Sequence, residues 1–184
     1  MNLFLWGALP YIAFTFLIVG TLVRFFYFER NWTTKSSEFL EKKQLRIANP
    51  LFHFGLLCVI GGHVVGVLIP KTWTAAIGIN DHMYHQGALY MGAVAGIIFI
   101  VGFLLLMKRR FTVPAMKVNT SGLDKWLYLF LTLAIFSGMA GTLLNASGFF
   151  DYRVSIGPWF RSLISFMPDP SLMEGVPFMF KFHM

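Results

Sequence analysis

Residues 49–66 read Asn-Pro-Leu-Phe-His-Phe-Gly-Leu-Leu-Cys-Val-Ile-Gly-Gly-His-Val-Val-Gly, an apolar run without a charged residue that nevertheless holds His53 and His63. A histidine inside a membrane helix is costly and usually faces the interior of a bundle. The apolar run extends to residue 69, which suffices to span a membrane at the short end of the usual range, and Pro50 suits a first helical turn. The sequence therefore predicts a membrane span at 50–69.

The spacing of the two histidines separates them into two sites. His53 and His63 are ten positions apart, which on an α-helix means about 15 Å of rise and about 80° of rotation. A single zinc or copper ion cannot be bound by both, because its donor atoms lie within about 4 Å of one another. We therefore favour two haems, each with one axial imidazole from this helix, over two histidines that only hydrogen-bond within a bundle. Four glycines flank the histidines and would let a flat macrocycle approach: Gly55, Gly61, Gly62 and Gly66.

Composition places the chain in a membrane. Of its 184 residues 57% are hydrophobic and 12% are charged, whereas a soluble domain carries about 25% charged residues. The net charge of +7 is explained by basic residues in cytoplasmic loops and does not call for nucleic acid as a partner. The single cysteine, Cys58, excludes a disulfide or a cysteine-ligated iron–sulfur cluster within this sequence.

The hydropathy pattern predicts an all-α, polytopic membrane helix bundle of four full spans and the start of a fifth, in a single domain over 1–184. In the connections, Ser36 to Gln44 is predicted to form a short surface helix, and Pro158 to Met167 an amphipathic helix in the membrane interface. The spans are predicted at about 4–28, 50–69, 86–107 and 124–144, with a further apolar run from Gly175.

Basic residues orient these spans. The loop after the first span, with Arg24 at its edge, holds six Lys and Arg residues, and the loop after the third span holds five. The loops after the second and fourth spans hold one and two. The bias predicts that the first and third connections are cytoplasmic and that the N-terminus is outside. The tryptophans fall at or near span ends, where indoles favour the headgroup region: Trp6, Trp32, Trp73, Trp126 and Trp159.

Depth along the spans then pairs the histidines. The second span runs outward, so His53 lies near the cytoplasmic face and His63 near the outer face. The fifth span runs inward, and His183 lies eight residues after Gly175, so we predict that His63 and His183 bracket one haem. Two imidazoles fill both axial positions, leave no site for O₂ and suit an electron carrier.

His53 has no histidine partner at its own depth in this sequence. Met107, at the inner end of the third span, is a candidate thioether ligand, although packing is the commoner role for such a residue. A helix of about ten apolar residues cannot cross a hydrocarbon core of about 30 Å. We therefore expect the fifth span, and the partner of His53 within it, to continue beyond Met184.

Several short motifs follow one another along the chain: Leu9-Pro10-Tyr11-Ile12-Ala13, Ser36-Ser37 to Lys43, Asn49-Pro50-Leu51-Phe52-His53-Phe54-Gly55, Gly62-His63-Val64-Val65-Gly66, Lys108-Arg109-Arg110-Phe111, Thr120-Ser121-Gly122-Leu123-Asp124 and Gly175-Val176-Pro177-Phe178-Met179-Phe180-Lys181-Phe182-His183. The helix with two histidines and the final Gly-Val-x-Phe-x-Phe-x-x-His run are the most specific. With these motifs the chain resembles the gamma subunit, a dihaem cytochrome b, of membrane-bound respiratory nitrate reductases.

The resemblance implies a five-span subunit in the cell membrane of a prokaryote. Such a subunit oxidises membrane quinol near the outer haem b. Electrons then pass through the inner haem b to an iron–sulfur beta subunit on the cytoplasmic face, and on to a molybdenum-containing alpha subunit that reduces nitrate. By the same resemblance, His63 and His183 match the axial ligands of the outer haem, and His53 matches one ligand of the inner haem.

Further residues are candidates for supporting roles. Arg110, in the Lys108-Arg109-Arg110 end of the third span, would bind a propionate of the inner haem if it is more than a membrane anchor. His85, or else His82, would accept a proton from quinol if it is more than an interfacial histidine.

Two residues and one further segment are also candidates. Asp81 and Tyr84 share the loop of the two histidines and would assist there. The segment 31–48 is a candidate docking surface for the iron–sulfur subunit, or a solvated connector.

Two other functions fit the same sequence. A related cytochrome b that serves a heterodisulfide-reductase-like or sulfite-reduction complex would have the same membrane part. A transporter or structural membrane anchor without haem would use the histidines for protons or a metal. An absorption spectrum distinguishes the transporter or anchor, which lacks haem, from the related cytochrome b and from the nitrate reductase subunit.

Overall fold

The chain folds as a bundle of membrane-length helices. The computed structural model describes residues 2–27 and 40–184, and no strand occurs within them. Four helices in these regions are long and apolar enough to cross a membrane, which confirms the predicted all-α polytopic fold. The helices are α1 (Leu9–Tyr27, after a π-helical turn at Phe4–Ala8), α2 (Lys43–His63, continued by a π-helical stretch at Val64–Leu68), α3 (Lys71–Ala76), α4 (Asp81–Thr112), α5 (Pro114–Val118), α6 (Gly122–Leu144), α7 (Ile156–Ile164) and α8 (Phe178–His183).

The start of α2 differs from the prediction. The helix begins at Lys43, and Pro50 lies inside it rather than in its first turn. Residues 43–49 include good helix formers that extend the helix beyond its apolar part. The predicted surface helix from Ser36 to Gln44 is wrong where it can be compared, because residues 40–42 are not helical and Gln44 belongs to α2. Residues 36–39 lie outside the described residues.

Capping explains why α4 is longer than the predicted span 86–107. The helix begins at Asp81, because the side chain of Asn80 accepts a hydrogen bond from the backbone N–H of Met83 at 2.9 Å. Such a cap satisfies a backbone donor that the first helical turn leaves without a partner. The helix ends shortly before Pro114, since the residue before a proline favours an extended backbone.

The amphipathic helix predicted at 158–167 is present as α7, although it lies slightly earlier in the chain. The apolar run from Gly175 becomes helical only at α8. Gly175 has a φ of +75°, and Pro177 has an extended backbone, so the helix begins at Phe178.

The closest approach between two long helices joins α2 and α4. An added Cβ at Gly55 would lie 2.5 Å from the backbone nitrogen of Phe99, and one at Gly102 would overlap the backbone of Phe52. Phe99 is buried beside this contact and forms a core cluster with Phe103 and Ile135 of α6. The glycine at 55 therefore serves helix packing and does not make room for a macrocycle.

One end of the bundle, which we call the outer end, holds the π-helical turn before α1, the end of α2, α3, and α7. The Trp159 indole N–H donates to the carbonyl of Trp6 at 2.8 Å, and the Tyr11 hydroxyl donates to the carbonyl of Leu163 at the same distance. A buried cluster lies beneath these contacts: Ile156, Trp159, Leu163, Met173 and Val176. The start of α1 is thus tied to α7, while the rest of α1 has no buried residue, as expected for a lipid-facing helix.

The opposite end, the inner end, carries two arginine–carboxylate pairs. Arg109 is only 3% exposed, and it donates to a carboxylate oxygen of Glu41 at 2.8 Å and to the Glu41 carbonyl at 2.6 Å. A backbone hydrogen bond from Gln44 lowers the pKa of Glu41, and Arg109 lowers it further. Arg110 donates to Asp124 at 3.1 Å. These pairs join α4 to the segment before α2 and to the start of α6.

The α2–α4 contact leads to a first prediction. Gly102→Ala should destabilise the protein by about 1–3 kcal/mol, because the methyl group overlaps the α2 backbone, which cannot move aside as a flexible side chain can. Gly20→Ala in α1 is the matched control, since an added Cβ there meets no atom within 4 Å and alanine favours a helix over glycine by about 0.5–1 kcal/mol. Thermal unfolding in detergent, followed by circular dichroism, measures both. Equal midpoints for the two variants would contradict the packing described here.

Candidate functional site

The imidazoles of His63 and His183 lie against each other between α2 and α8. Their ring centroids are 5.8 Å apart, and the ring planes make an angle of 38°. His63 is the last residue of α2, directly before the π-helical stretch, and His183 is the last residue of α8. Short π-helical stretches inside membrane helices are often found at functional sites. The structure therefore brings together two residues that are distant in the sequence.

Hydrogen bonds orient both rings in the same sense. Nδ1 of His63 lies 2.7 Å from the carbonyl oxygen of Val59, which can only accept, so Nδ1 carries the proton. Nδ1 of His183 lies 3.1 Å from the hydroxyl oxygen of Ser137, whose own proton is directed to the Ala134 carbonyl at 3.1 Å. With the hydroxyl proton on that carbonyl, the hydroxyl oxygen accepts from Nδ1 of His183. In both rings the lone pair is on Nε2, the nitrogen available to a metal ion.

Glycines lie beside both rings. An added Cβ at Gly138 of α6 would lie 2.7 Å from Cε1 of His183, so this imidazole lies directly over the α6 backbone. At Gly61 and Gly62, beside His63, an added Cβ would meet no described atom within 4 Å. Gly66 is different, because the side chains of Tyr152 and Tyr84 cover it. Of the four glycines noted in the sequence, those at 61 and 62 are thus open and those at 55 and 66 are filled by packing.

This geometry fits a metal held within a macrocycle. Two imidazole nitrogens about 2 Å from one metal ion place the ring centroids roughly 6 Å apart, close to the observed 5.8 Å. In residues 2–27 and 40–184 no group of three or more His, Cys, Asp or Glu residues could hold a metal ion. The spacing of the His63 and His183 rings therefore fits one metal ion bound between them, as in a haem with two histidine ligands.

His53 occupies a separate place on α2. Its Nδ1 lies 2.9 Å from the carbonyl oxygen of Asn49, so its Nε2 is also the lone-pair nitrogen. The ring lies edge to face with Phe52 and is exposed. Met107, the thioether candidate, packs instead against the cluster of Phe99, Phe103 and Ile135.

His85 faces the connection after α6. Its Nε2 lies 3.2 Å from the carbonyl oxygen of Ala146, and the ring lies against Gly148, which has a φ of +71°. Since a carbonyl only accepts, the neutral ring donates through Nε2 and keeps a lone pair on Nδ1 that can take a proton. His82 is exposed.

Charged residues form a network at the outer end beside these histidines. Lys71 binds Asp81 at 2.8 Å and Asp151 at 3.0 Å, and these carboxylates, Asp81 first, raise the pKa of the lysine. The guanidinium of Arg153, 4% exposed, lies 3.7 Å from the ring centroid of Tyr84 and donates to Thr74 at 2.8 Å.

The same network extends to the end of α2. Burial raises the pKa of Tyr152, which packs over Gly66. Arg161 donates to the carbonyl of Val67, in the π-helical stretch, at 2.7 Å. A guanidinium at this position neutralises the carbonyl end of the helix.

Sequence reasoning missed the residues that support the site. Ser137 and Gly138 form the only Ser-Gly pair inside a predicted span, and a small polar pair within an apolar helix was the signal for them. Arg153 and Arg161 lie in a loop on the side that basic residues avoid, and that departure from the rule was the signal for structural roles.

Arg110, the predicted propionate ligand, has a partner of its own. One side of its guanidinium binds Asp124, and its Nε is buried without a hydrogen-bond partner in the part of the chain that the structure describes. The neighbouring Arg109 is committed to Glu41, which leaves Arg110 as the better candidate of the two.

Comparison with known proteins gives this geometry its context. A family model described as nitrate reductase gamma subunit matches residues 2–184. The nitrate reductase gamma chain of Bacillus subtilis is 48% identical over 97% of this chain and 81% of its own length. The respiratory nitrate reductase 1 gamma chain of Escherichia coli is 27% identical over 100% of this chain and 82% of its own. The nitrate reductase-like protein NarX of Mycobacterium tuberculosis is 39% identical, with 28% of its length covered.

A family match over nearly the whole chain, together with four membrane-length helices in the described regions, identifies a transmembrane electron-transport subunit of an oxidoreductase: the chain belongs to the nitrate reductase gamma subunit family.

Proposed function

We propose that this chain is a dihaem cytochrome b that oxidises quinol at the outer end of the bundle and conducts electrons to the inner end. There they pass to an iron–sulfur beta subunit and on to a molybdenum-containing alpha subunit that reduces nitrate. The complex lies in the cell membrane of a prokaryote. The observation that carries the proposal is the neighbouring pair of His63 and His183, whose ring centroids lie 5.8 Å apart and whose Nδ1 atoms are both hydrogen-bonded, so that Nε2 is the nitrogen left for iron.

His63 and His183 are the proposed axial ligands of the outer haem. When bound, the haem supplies a one-electron carrier whose axial positions are both filled. The protein contributes the orientation of the two rings, through the Val59 carbonyl and the Ser137 hydroxyl. These features support an electron-transfer site rather than one that binds O₂.

His53 is the proposed ligand of an inner haem. Its Nδ1 bond to a backbone carbonyl is the same arrangement that His63 has, which fixes the tautomer needed for iron. Since the ring is exposed along α2, a cofactor can reach it. Because His53 lies ten residues before His63 in α2, a haem bound to it would lie nearer the inner end.

Arg110 is proposed to hold a propionate of the inner haem. Its buried Nε lacks a partner among the described residues, and a buried donor without an acceptor is costly. A carboxylate from the cofactor would satisfy it by a charge-assisted hydrogen bond.

His85 is proposed to accept a proton from quinol. Quinol oxidation releases two protons, and a neutral imidazole with a lone pair on Nδ1 is a suitable general base. The Ala146 carbonyl fixes that tautomer. Asp81 and Tyr84 belong to the network around it and hold the start of α4 in place.

The iron–sulfur subunit is proposed to dock at the inner end. Lys43, Arg46 and Lys108 are exposed there, and electrons must leave the bundle on the side of the inner haem. Within the candidate docking segment 31–48, residues 31–39 lie outside the described residues.

Substitution of the haem ligands tests the proposal directly. Membranes of the wild type should show two low-spin b-type signals in the dithionite-reduced minus oxidised spectrum. His63→Ala should remove the outer signal and His53→Ala the inner one, each about half of the absorbance, because an axial imidazole is lost. His82→Ala is the control and should keep both. A wild-type protein without any haem signal would support the transporter or anchor instead.

A second experiment tests the quinol base. His85→Gln keeps a donor for the Ala146 carbonyl but removes the proton acceptor. Stopped-flow reduction of the haems by a quinol analogue should slow by about 10²–10⁴-fold, while reduction by dithionite stays at the wild-type rate. The matched control is His82→Gln. If His85→Gln is reduced by quinol as fast as the wild type, another group takes the proton.

A third experiment addresses Arg110. Arg110→Gln removes the positive charge beside the proposed propionate, so the inner haem should be easier to oxidise and its midpoint potential should fall. Redox titration measures this, and the outer haem serves as the internal control. A shift confined to the outer haem would rule out the assignment.

A further inference from the structure

We infer that Ser137 and its neighbour Gly138 form a seat on α6 that positions His183 and sets the electron affinity of the outer haem. This inference rests on the proposed function. It concerns residues that neither touch iron nor belong to the histidine set, so Ser137 is a positioning residue.

The three proposed histidine ligands differ in which group accepts the hydrogen bond from Nδ1. His53 and His63 each use the carbonyl four residues earlier in their own helix, so no side-chain substitution removes those acceptors. His183 instead reaches across to the hydroxyl of Ser137 on α6. Among the three proposed ligands it is the one with a side-chain hydrogen-bond partner, and both that hydroxyl and the Ala134 carbonyl, which also hydrogen-bonds the ring, belong to another helix, α6.

The hydroxyl of Ser137 hydrogen-bonds to both the Ala134 carbonyl and His183. The residue is 7% exposed, so water does not replace its hydrogen bonds freely. Its hydroxyl has one proton, directed to the Ala134 carbonyl, and its oxygen therefore accepts the Nδ1 proton of His183. Acceptance at Nδ1–H increases the electron density of the imidazole and makes Nε2 a stronger donor to a metal.

The imidazole of His183 lies directly over Gly138, the residue after Ser137. An added Cβ at Gly138 would lie 2.7 Å from Cε1, 3.2 Å from Nε2 and 3.3 Å from Nδ1 of His183. The whole edge of the imidazole thus lies over a residue that must lack a side chain. The hydroxyl fixes the rotation of the ring, and the glycine fixes its distance from α6.

The contact with Ser137 and Gly138 also restricts the position of α8. α8 is a short helix of six residues after an extended proline, so its own backbone offers little rigidity. It packs against α6 through Phe180, which lies beside Gly141 and contacts the ring of Phe150 with centroids 4.8 Å apart and the ring planes at 50°. Ser137 lies one helical turn beyond Gly141 toward the inner end and completes the contact at the histidine.

Redox titration and the ferric low-spin electron paramagnetic resonance signal of the purified complex test this inference. Ser137→Ala should keep both haems, raise the midpoint potential of the outer haem and change its resonance signal, because a weaker donor stabilises ferric iron less and the ring is freed to rotate. Retention of the outer haem against a haem acceptor should weaken by about 10-fold. The inner haem should be unchanged.

Four further variants make the test specific. Ser137→Thr keeps the hydroxyl and should restore the wild-type potential, while Gly138→Ala should abolish the outer signal by displacing His183. Thr132→Val on the same helix is the control, because its hydroxyl donates to the carbonyl of Tyr128 within α6, and it should change nothing. If Ser137→Ala does not fold, the nearly isosteric Ser137→Cys, a weak acceptor, should give a smaller shift in the same direction.

The outcomes separate this inference from the proposed function. A complex with two haems and an unchanged outer potential and signal in Ser137→Ala overturns the role of Ser137 and leaves the haem proposal intact. A wild-type complex without haem overturns both.

Discussion

The contact between α2 and α4 determines how α2 presents its histidines. Gly55 and Gly102 remove every atom that would keep the two backbones apart, and close backbone approach at small residues is a principal source of helix association in a membrane. Ala48, Gly55 and Gly66 are the buried residues along α2 and its π-helical continuation. His53 lies about 200° from Gly55 around the helix, which explains why its ring points away from α4 and is exposed. The rotation that packs the helix therefore also directs the histidine outward.

Much of this arrangement follows from sequence patterns. Hydropathy predicted the four long helices, and depth along the spans was enough to expect the rings of His63 and His183 near each other. Their role as haem ligands stays a prediction. Helix starts were less accessible, because Pro50 suits a first turn yet lies inside a helix that polar residues extend. Flanking glycines were also ambiguous, since a glycine can make room for a cofactor or for another helix, and only the neighbouring atoms distinguish these.

The two arginines of the outer end make contacts within the protein. Counting placed Arg153 and Arg161 in an outer loop as exceptions to the positive-inside bias. The structure shows one beneath Tyr84 and the other bound to the carbonyl of Val67, and Lys71 lies between two carboxylates. Their charges are thus used internally. At the inner end several basic residues are exposed: Lys43, Arg46, Lys108, Lys117 and Lys125. The difference in exposed positive charge between the two ends is therefore larger than a count of Lys and Arg residues suggests.

Haem binding and the docking of α8 are linked in the proposed site. His63 sits on a helix that α4 already holds, whereas His183 sits on a short helix that reaches the site through its contacts with α6. A ligand that binds both rings only when α8 is docked stabilises the docked state by mass action, and the seat at Ser137 and Gly138 in turn strengthens binding by ordering one ring beforehand. In the proposed site the side chains of α6 would therefore act on the outer haem without being ligands of its iron. Because the His53 and His63 acceptors are backbone carbonyls, α6 is where side-chain substitution most directly alters the hydrogen bonding of a ligand.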